Sequence, residues 1–420
     1  MAANRFRVAV VGGGLAGATL ANALIQVSQM DVHVFESAAE FSERGAAVGL
    51  GINAQRALNE IISAPAAVAL LDKAGGVPTN TSRLVLGSGP EAGSLILDLA
   101  EGDPGRTLHR ASLLRELLAP LPNDSLHSKK QLVTIKNNDE GVELFFQDDS
   151  VYQFDAVIGA DGIFSAVRDH VLGDQAAAYA ASPAGFWDCR NLVPFDKAKA
   201  VLGDDYFEVD RQWDWVGEGA FLMHDPLESR TVVQCVVSAI ERDPGTNPKD
   251  RKRPLNRELL EESQHGWLDG PIAKGIIDLI LDQEDPSSYS QWEHRRTPTY
   301  VKQRVCLIGD AAHATTPWQG AGIGLAIEDA MVLGALLAKV SSKEDFECAF
   351  RAYDTVRRPR CQRIIDSSRE TGHILCGQSG LQADELRGLL ASQWNFLFGL
   401  DMSAHKQDAL DNMRELQQKT

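Results

Sequence analysis

The spacing of apolar residues changes twice near the beginning of the chain. A short apolar run at 6–11 is followed by helically spaced apolar residues at 14–27 and by a second short run at 31–36. Short runs predict buried strands, and a spacing of three or four residues predicts a helix. This order predicts a βαβ unit, the basic element of a parallel sheet covered by helices.

Strand and helix patterns continue through the next part of the chain. Residues 108–120 predict a helix that ends at Pro120. Three segments between 131 and 162, separated by turn sequences, predict an antiparallel meander whose last strand is buried. Residues 179–240 alternate like strands and hold nine of the 28 aromatic residues, which predicts a sheet that packs a core or lines a pocket for a flat ligand.

The last part of the chain returns to the pattern of the beginning. After a loop at 241–258 and a predicted helix at 259–283, the sequence "RVCLIGDAAHA" predicts a buried strand that runs into a helix. A long apolar helix follows, then an amphipathic helix at 345–370 and a helical tail. The parallel-sheet pattern therefore stands on both sides of the aromatic sheet.

A glycine-rich turn joins the first predicted strand to the first helix. Its sequence fits GxGxxG, whose glycines permit a tight turn, a close approach to a pyrophosphate and close packing of helix on strand. Glu36 ends the second strand, where a carboxylate can accept both ribose hydroxyls and repel a 2′-phosphate, although a surface glutamate is the simpler alternative. The motif predicts FAD or NAD at Gly12, Gly14, Leu15, Ala16, Gly17 and Glu36.

Two later predicted strands end in aspartate. Asp161 follows the last strand of the meander, and Asp310 follows the strand that begins near 304. Aspartates at the carboxyl edge of a parallel sheet face the crevice where ligands bind, although either could instead cap a helix. Gly320 to Gly322 open the next helix, whose free N–H groups and dipole stabilise negative charge such as that of a reduced flavin.

The composition excludes several classes of partner. The formal net charge is −17, and such a surface repels nucleic acid and anionic membranes. We find no signal-peptide pattern and no apolar run of the roughly 18 residues that a membrane helix needs. Six scattered cysteines predict reduced thiols and no metal site. We expect a cytoplasmic protein that is a monomer or a homodimer.

Together the motifs resemble those of the class A FAD-dependent aromatic hydroxylases, the salicylate hydroxylase-like flavoprotein monooxygenases, over residues 6–370. The marks are the glycine turn with Glu36, Asp161-Gly162 with Arg168, and Gly309-Asp310 followed by Pro317 and Gly320–Gly322. The resemblance implies FAD as cofactor, NADPH or NADH as reductant, and O2. It also implies a C4a-hydroperoxyflavin that transfers oxygen to a small phenolic or other electron-rich aromatic substrate.

The resemblance also implies roles for single residues. Arg110 would contact the ribityl and phosphate region of FAD, although it would otherwise be interpreted as a helix-surface charge. The segment 45–53, with Ala47 and Gly49, would pass near the flavin ring. Asp161 would lie near the pyrophosphate. The other implied cofactor contacts are Asp310, Pro317, Gly320, Ala321, Gly322 and Ile323.

The expected fold is α/β, with interleaved domains. A Rossmann-like FAD-binding domain would comprise 1–178 and 285–370, with a possible excursion into the substrate sheet near 75–105. An antiparallel substrate-binding sheet would comprise 179–284, and a helical C-terminal region would comprise 371–420.

Two residues of the substrate side follow from the resemblance. In relatives that act on phenols, an arginine on the strand of Arg190 points to the flavin and pairs with the phenolate. A cation there would lower the pKa of the phenol, whereas an outward-facing arginine is the alternative. Trp318 stands where salicylate-type relatives often have histidine, and would stack on a flat substrate.

The segment 221–229 departs from the family pattern. Many relatives have a Tyr-Pro pair here, but this chain has Asp225 before Pro226, with His224 before it. The departure removes a tyrosine that often lines the pocket. His224 and Asp225 are therefore candidates for proton transfer, with a structural histidine at a strand end as the alternative.

Other functions of the same scaffold stay open. They are an epoxidase or N-hydroxylase, a reductase, a halogenase, and a flavin-binding protein without catalysis. The "WDW" at 213–215 superficially fits a halogenase motif, but the residues after it do not, so we interpret Trp213 and Trp215 as sheet aromatics. Hydroxylation itself could proceed with or without loss of a carboxylate or of aromaticity.

Overall fold

The computed structural model describes residues 5–42, 47–99 and 105–419. One six-stranded sheet and one eight-stranded sheet dominate the fold, with two three-stranded sheets beside them. Helices pack on both large sheets, which confirms the α/β class. No helix in these ranges is both long enough and apolar enough to cross a membrane.

The strands and helices have the following bounds. The strands are β1 (Phe6–Val11), β2 (Met30–Phe35), β3 (Ala47–Leu50), β4 (Val77–Pro78), β5 (Thr81–Leu86), β6 (Leu95–Leu99), β7 (Arg106–His109), β8 (Leu126–His127), β9 (Leu132–Asn137), β10 (Val142–Phe146), β11 (Val151–Phe154), β12 (Ala156–Gly159), β13 (Ser182–Pro194), β14 (Arg211–Gly217), β15 (Ala220–Leu227), β16 (Val232–Ile240), β17 (Lys252–Pro254), β18 (Ser287–Glu293), β19 (Val301–Lys302) and β20 (Val305–Leu307). The helices are α1 (Leu15–Leu24), α2 (Ile52–Ile62), α3 (Ala64–Lys73), α4 (Arg110–Leu118), α5 (Ala166–Leu172), α6 (Phe195–Leu202), α7 (Arg257–Ser263), α8 (Ala273–Leu281), α9 (Asp310–His313), α10 (Gly322–Leu337), α11 (Asp345–Leu375), α12 (Ala383–Gln393), α13 (Asn395–Phe398) and α14 (Met402–Gln417).

The six-stranded sheet has the order β19-β20-β12-β1-β2-β8. All neighbours pair in parallel except β19 and β20, and the predicted βαβ unit is confirmed as β1, α1 and β2. Parallel strands bring their carboxyl ends to one edge of the sheet. That edge collects Gly12 after β1, Asp161 after β12 and Gly309 after β20, so the three motifs meet there.

Two predicted elements are interrupted in the structure. The last segment of the meander was predicted as one strand, but it divides at Asp155 into β11 and β12, which belong to different sheets. The Asp155 carboxylate accepts a hydrogen bond from the Arg7 backbone N–H at 2.8 Å, which fixes this corner against β1. The helix predicted over 259–283 is two helices, α7 and α8, because Gly270-Pro271 between them cannot continue a helix.

The eight-stranded sheet has the order β17-β18-β13-β16-β15-β14-β5-β6. Its strands β5 and β6 come from residues 81–99, and β5 pairs in parallel with β14. The helices α6, α7 and α8 cover one face of the sheet. This face is here called the covered face. The main apolar residues packed between it and the helical segments are Trp187, Cys189, Trp215, Leu222, Cys235, Val237, Trp267 and Ile276.

The other face of this sheet, here called the open face, carries the alternate side chains of the same strands. Phe221, Met223, Gln234 and Val236 are half-exposed on it, although each lies in a central strand. Strand pairing places the side chains of the open face in rows that cross the strands. One row runs Leu84, Asp214, Met223, Val236, Arg190.

The helices α10 and α11 and the turn after β20 meet at a buried charge network formed by Glu328, Asp329 and Arg357. The Arg357 guanidinium donates to Asp329 at 2.9 Å and to Glu328 at 2.6 Å, and all three side chains are fully buried. Asp329 also accepts from the Gly309 backbone N–H at 2.9 Å. The network therefore ties α10 and α11 to the turn after β20.

Further contacts extend this network. Glu328 accepts from Asn53 of α2 at 2.9 Å and from Arg360 at 2.7 Å. The His313 ring contacts Asp329 at 2.6 Å. Although burial opposes the shift, the Asp329 carboxylate raises the pKa of His313 well above its usual value. The contact with Asp329 therefore favours the protonated form of His313.

The buried charge network predicts a large loss of stability when its cation is removed. Arg357→Met leaves two buried carboxylates without their main partner, so we expect the free energy of unfolding to fall by about 3–5 kcal/mol. Arg414→Met is the matched control, because Arg414 is 62% exposed in its ion pair with Asp411. The control should cost less than about 1 kcal/mol. Equal urea-unfolding curves for the two variants would contradict a large contribution of the network to the free energy of unfolding.

Candidate active site

The turn after β1 can only be built from glycine. Gly12 has φ +111°, and a Cβ atom there would lie 2.2 Å from the Ala160 carbonyl oxygen. A Cβ at Gly17 would lie 2.0 Å from the Gly12 carbonyl oxygen. Gly14 is the N-cap of α1, and no side chain of the described residues caps this helix. The first N–H groups of α1 are thus left to face a ligand, with Leu15 and Ala16 in the first turn.

Glu36 lies beside this turn. Its carboxylate accepts hydrogen bonds from the backbone N–H groups of Gly13 at 2.9 Å and Ala38 at 2.7 Å. A carboxylate held at the glycine turn by backbone donors suits the ribose role expected from the sequence. That role stays a prediction.

The second and third motifs are joined by Arg168. Its guanidinium is buried and donates to the carbonyl oxygens of Ala311 and Ala312, both at 3.1 Å. Asp161 caps the start of α5 by accepting from the Ser165 hydroxyl and from the Val167 N–H at 3.2 Å. Burial raises the pKa of Asp161. Asp161 thus caps a helix, which was the alternative given by the sequence. A contact of Asp161 with the cofactor remains a prediction.

The third motif packs against the first. Gly309 has φ +58°, and a Cβ atom there would lie 2.8 Å from the Cβ of Ala16. Asp310 is the first residue of α9 and is exposed at the carboxyl edge of the sheet. Its position suits a contact with the polyhydroxyl chain of a flavin dinucleotide.

Two more segments predicted to bind the cofactor lie near each other in the strand pairing. β3 pairs with β7, which places Ala47 opposite His109, one residue before Arg110. Gly49 is exposed, and a Cβ there would meet nothing within 4 Å. Positions 45 and 46 lie outside the described residues. Half-buried Arg110 begins α4.

The loop before α10 completes this edge. Pro317 is exposed, and Gly320 has φ +62°, the left-handed conformation that favours glycine. Ala321 is the N-cap of α10, which begins at Gly322, and the next residue, Ile323, is half-buried. The sixteen-residue helix α10 therefore begins at this loop, where its first backbone N–H groups have no partner within the helix.

These residues fit a flavin dinucleotide. The crowded glycine turn leaves backbone N–H groups for a pyrophosphate, and Glu36 stands beside it for a ribose. Asp310 lies further along the same edge for the ribityl chain. The N-terminus of α10 provides the positive dipole end for the flavin ring.

Trp318 joins the loop before α10, residues 314–321 and here called the cofactor loop, to the open face of the eight-stranded sheet. Its ring lies 5.1 Å from Phe186 and 5.7 Å from Phe221, both in edge-to-face geometry. It is 9% exposed, and its buried Nε1 has no hydrogen-bond partner in the described residues. Trp318 thus packs between the two parts of the site. The stacking of a substrate on it stays a prediction.

Arg190 lies on the open face, at one end of the row described above. Its side chain is 55% exposed and lies 3.6 Å from the Asp188 carboxylate. Burial raises the pKa of Asp188. Arg190 therefore points to the same side of the sheet as Met223 and Val236, and its contact with a phenolate stays a prediction.

His224 lies on the covered face instead. It is fully buried beside Trp213 and Trp215, and accepts a hydrogen bond from the Trp215 indole N–H at 3.4 Å. Burial lowers the pKa of His224 to about 3, so the ring is neutral at physiological pH. This placement supports the structural alternative for His224 and gives no support to proton transfer with a substrate. Asp225, the next residue, points to the open face.

A functional candidate that the sequence analysis missed is Asp214. It is 5% exposed on the open face, and its two oxygens accept from the Gln212 side chain at 2.9 and 3.0 Å. Burial raises the pKa of Asp214 to about 7 and that of Asp225 to about 6. Side chains alternate between the two faces along a strand, so the sequence "WDW" already indicates that Asp214 faces away from Trp213 and Trp215.

One group of side chains has the composition of a metal site. His313, Asp329 and Cys361 have ligand atoms within 4.8 Å of one another, and all are buried. The same Asp329 oxygen already contacts the His313 ring and the Gly309 N–H. The contacts of His313 and Asp329 are thus explained by hydrogen bonds and charge within the buried charge network.

The glycine turn gives a prediction for cofactor content. Gly12→Ala should purify with little FAD, because its Cβ would collide with the Ala160 carbonyl where the cofactor phosphates are expected. Gly203→Ala is the control, since Gly203 has φ +103° but a Cβ there meets nothing within 4 Å. The control should lose about 1–3 kcal/mol of stability and keep its FAD. FAD content is measured as flavin absorbance per mole of protein. Equal FAD content in both variants would contradict the role of Gly12 in cofactor binding.

The raised pKa of Asp214 gives a prediction for stability. Its folded pKa is about 7, against roughly 3.9 in an unfolded chain, so ionisation destabilises the fold progressively from pH 4 to pH 7. Asp214→Asn lacks this penalty. Its stability gain over the wild type should therefore grow between pH 4.5 and pH 8, to at most about 4 kcal/mol.

The matched control for this prediction is Asp204→Asn, because the Asp204 side chain is 83% exposed. Its stability difference from the wild type should change little over the same pH range. Melting temperatures of the three proteins at both pH values test the prediction. A pH-independent gain for Asp214→Asn would disprove it.

Comparison with known proteins supports FAD as the cofactor. Residues 110–368 match a family model described as an FAD binding domain. The 6-methylsalicylate 1-monooxygenase of Aspergillus terreus is 32% identical over 99% of this chain and 94% of the relative. The salicylate hydroxylase of Pseudomonas putida is 32% identical over 88% of this chain and 86% of the relative.

A solved structure agrees over nearly the whole chain. A salicylate hydroxylase substrate complex superposes with a TM-score of 0.83 at 27% identity, covering 97% of this chain and 98% of that one. The agreement includes both large sheets and the helical end of the chain. The chain therefore belongs to the FAD-dependent aromatic monooxygenases of the salicylate hydroxylase type, and is a flavoprotein monooxygenase.

Proposed function

We propose that the protein hydroxylates a small phenolic or other electron-rich aromatic compound, with NADPH or NADH as reductant. The observation that carries the proposal is the row on the open face, where half-exposed Met223 and Val236 lie between Asp214 and Arg190. Apolar side chains between polar ends form a floor for a flat ring with polar substituents. Two relatives are named for their action on salicylate and 6-methylsalicylate, which supports an aromatic acid as the type of substrate.

The overall reaction balances as ArH + O2 + NAD(P)H + H⁺ giving ArOH + H2O + NAD(P)⁺. Bound FAD supplies the redox chemistry between the nicotinamide and O2. The protein must bind the ring, orient it and keep water away from the site. Trp318, packed against Phe186 and Phe221, closes the end of the open face next to the cofactor loop.

Arg190 has the chemistry to hold the anionic group of the substrate. A guanidinium stabilises a carboxylate or phenolate by charge and by two parallel hydrogen bonds. A phenolate is also a better nucleophile than a phenol, so the same contact favours attack by the ring. The neighbouring Asp188 carboxylate at 3.6 Å orients the guanidinium before a ligand is bound.

The proposal is tested first with the purified protein. Its absorbance spectrum should show flavin bands, and NADPH or NADH consumption should rise with some members of a panel of phenols and aromatic acids that includes salicylate and 6-methylsalicylate. Peroxide and hydroxylated product are both measured, because only coupled turnover yields product. Consumption that no aromatic compound stimulates would contradict the proposal. Turnover that depends on halide would favour a halogenase instead.

Arg190→Gln tests the anion contact. Loss of one charge-assisted contact costs about 1.5–3 kcal/mol, so kcat/KM for the best phenolic substrate should fall roughly 10- to 150-fold while FAD content stays unchanged. Product per NAD(P)H consumed should fall as well, with more peroxide. Arg115→Gln is the control, since Arg115 is exposed on α4 and pairs with its neighbour Glu116. Unchanged kinetics for Arg190→Gln would remove Arg190 from the site.

A further inference from the structure

The open face ends in a group of polar side chains remote from Trp318, here called the polar end: Asn80, Ser82, Gln212, Asp214 and Asp225. Along β15, Phe221 contacts Trp318, Met223 follows on the same face, and Asp225 lies at the far end. Four residues of a strand span roughly 13 Å. The polar end therefore lies beyond the apolar floor, as seen from the cofactor loop.

The carboxyl groups of the polar end are held by neutral donors. Gln212 donates to both oxygens of Asp214, and Asn80 donates to Asp225 at 2.7 Å. Asp214 and Asp225 are 5% and 7% exposed. In the ranges that the structure describes, neither forms an ion pair with a cation. The negative charge of a ligand at this place would therefore meet buried carboxyl groups and no compensating charge.

The opposite end of the row carries a positive charge, that of Arg190. Arg190 is three strands away from Asp214, which corresponds to about 14 Å between their Cα atoms at the usual strand spacing. The Arg190 guanidinium lies beside Asp188 of its own strand, and an arginine side chain is long enough to cover part of this distance when it turns to a ligand. Met223 and Val236 form the floor between the two ends. The remaining length suits an aromatic ring with one substituent at each end.

We propose that the polar end determines substrate specificity: it accepts a neutral hydroxyl or carbonyl group at the end of the ring opposite the anionic group, and it rejects a second carboxylate. This inference rests on the proposed function and names the substrate class for it. Asp214 is the central residue of the polar end, because it lies in the same row as Arg190 and next to Met223. A hydroxyl can donate to its carboxylate or accept from its acid form, whereas a carboxylate is repelled.

Two aromatic acids that differ only in one substituent test the inference. In 2,4-dihydroxybenzoate a hydroxyl stands opposite the carboxylate, and in 2-hydroxyterephthalate a second carboxylate stands there. Each is titrated into the FAD-loaded protein at pH 8, and binding is followed by the change in flavin absorbance. We expect the wild type to bind the dihydroxy acid at least tenfold more tightly.

Asp214→Asn should narrow this preference to threefold or less, mainly because the dicarboxylate binds more tightly. Asp225→Asn should act in the same direction, and it carries the test if Asp214→Asn purifies without FAD. Asp204→Asn removes the same charge from the surface and should keep the full preference of the wild type. Melting temperature and FAD content are measured for each variant.

The possible outcomes separate the inference from the proposed function. Equal binding of the two acids by the wild type overturns the inference alone, and so does a preference that neither variant at the polar end narrows. If neither acid changes the flavin spectrum and no aromatic compound stimulates NAD(P)H consumption, the proposed function is overturned as well. A preference that narrows only with the two variants of the polar end supports the inference.

Discussion

The buried contact between Asp329 and Arg357 is the constraint that fixes the carboxyl edge of the parallel sheet, where the cofactor is expected to bind. A charge without water is tolerated only when its partners are fixed, so this pair holds α10 and α11 at one distance. The second Asp329 oxygen binds the N–H of Gly309, whose positive φ starts the turn after β20. The helix N-terminus expected to face the flavin and the strand end expected to face its ribityl chain are therefore positioned by the same side chain.

The cofactor side of the protein was predictable because its signals are local. The spacing of Gly12 and Gly17 follows from steric contacts between residues close in sequence or on the neighbouring strand. The ends of parallel strands must meet at one edge, so Asp161 and Asp310 could be placed together without coordinates. Only the position of Arg168, which joins the second motif to the carbonyl groups of α9, needed the structure.

The substrate side was less predictable because it depends on which face each residue occupies. His224 and Asp225 are neighbours in sequence, yet one lies among tryptophans and the other on the open face. Alternation indicates that they differ, but only the packing of α6, α7 and α8 shows which face is covered. Asp214 could not be recognised for a related reason: it stands between Trp213 and Trp215 in the sequence, but its carboxyl group points to the opposite face.

The origin of β5 and β6 has a consequence for biosynthesis. These strands leave the ribosome well before β14, with which β5 pairs, and the chain between them forms β8 and β12 of the parallel sheet, the strands β9 to β11, and β13. Closing so long a loop is slow, and apolar residues such as Leu84 and Ile96 stay unprotected until it happens. Folding during translation therefore cannot complete one domain and then the next. A nascent chain that stalls before β14 would present an unpaired strand edge to other chains, so the most vulnerable moment of this enzyme lies midway through its synthesis.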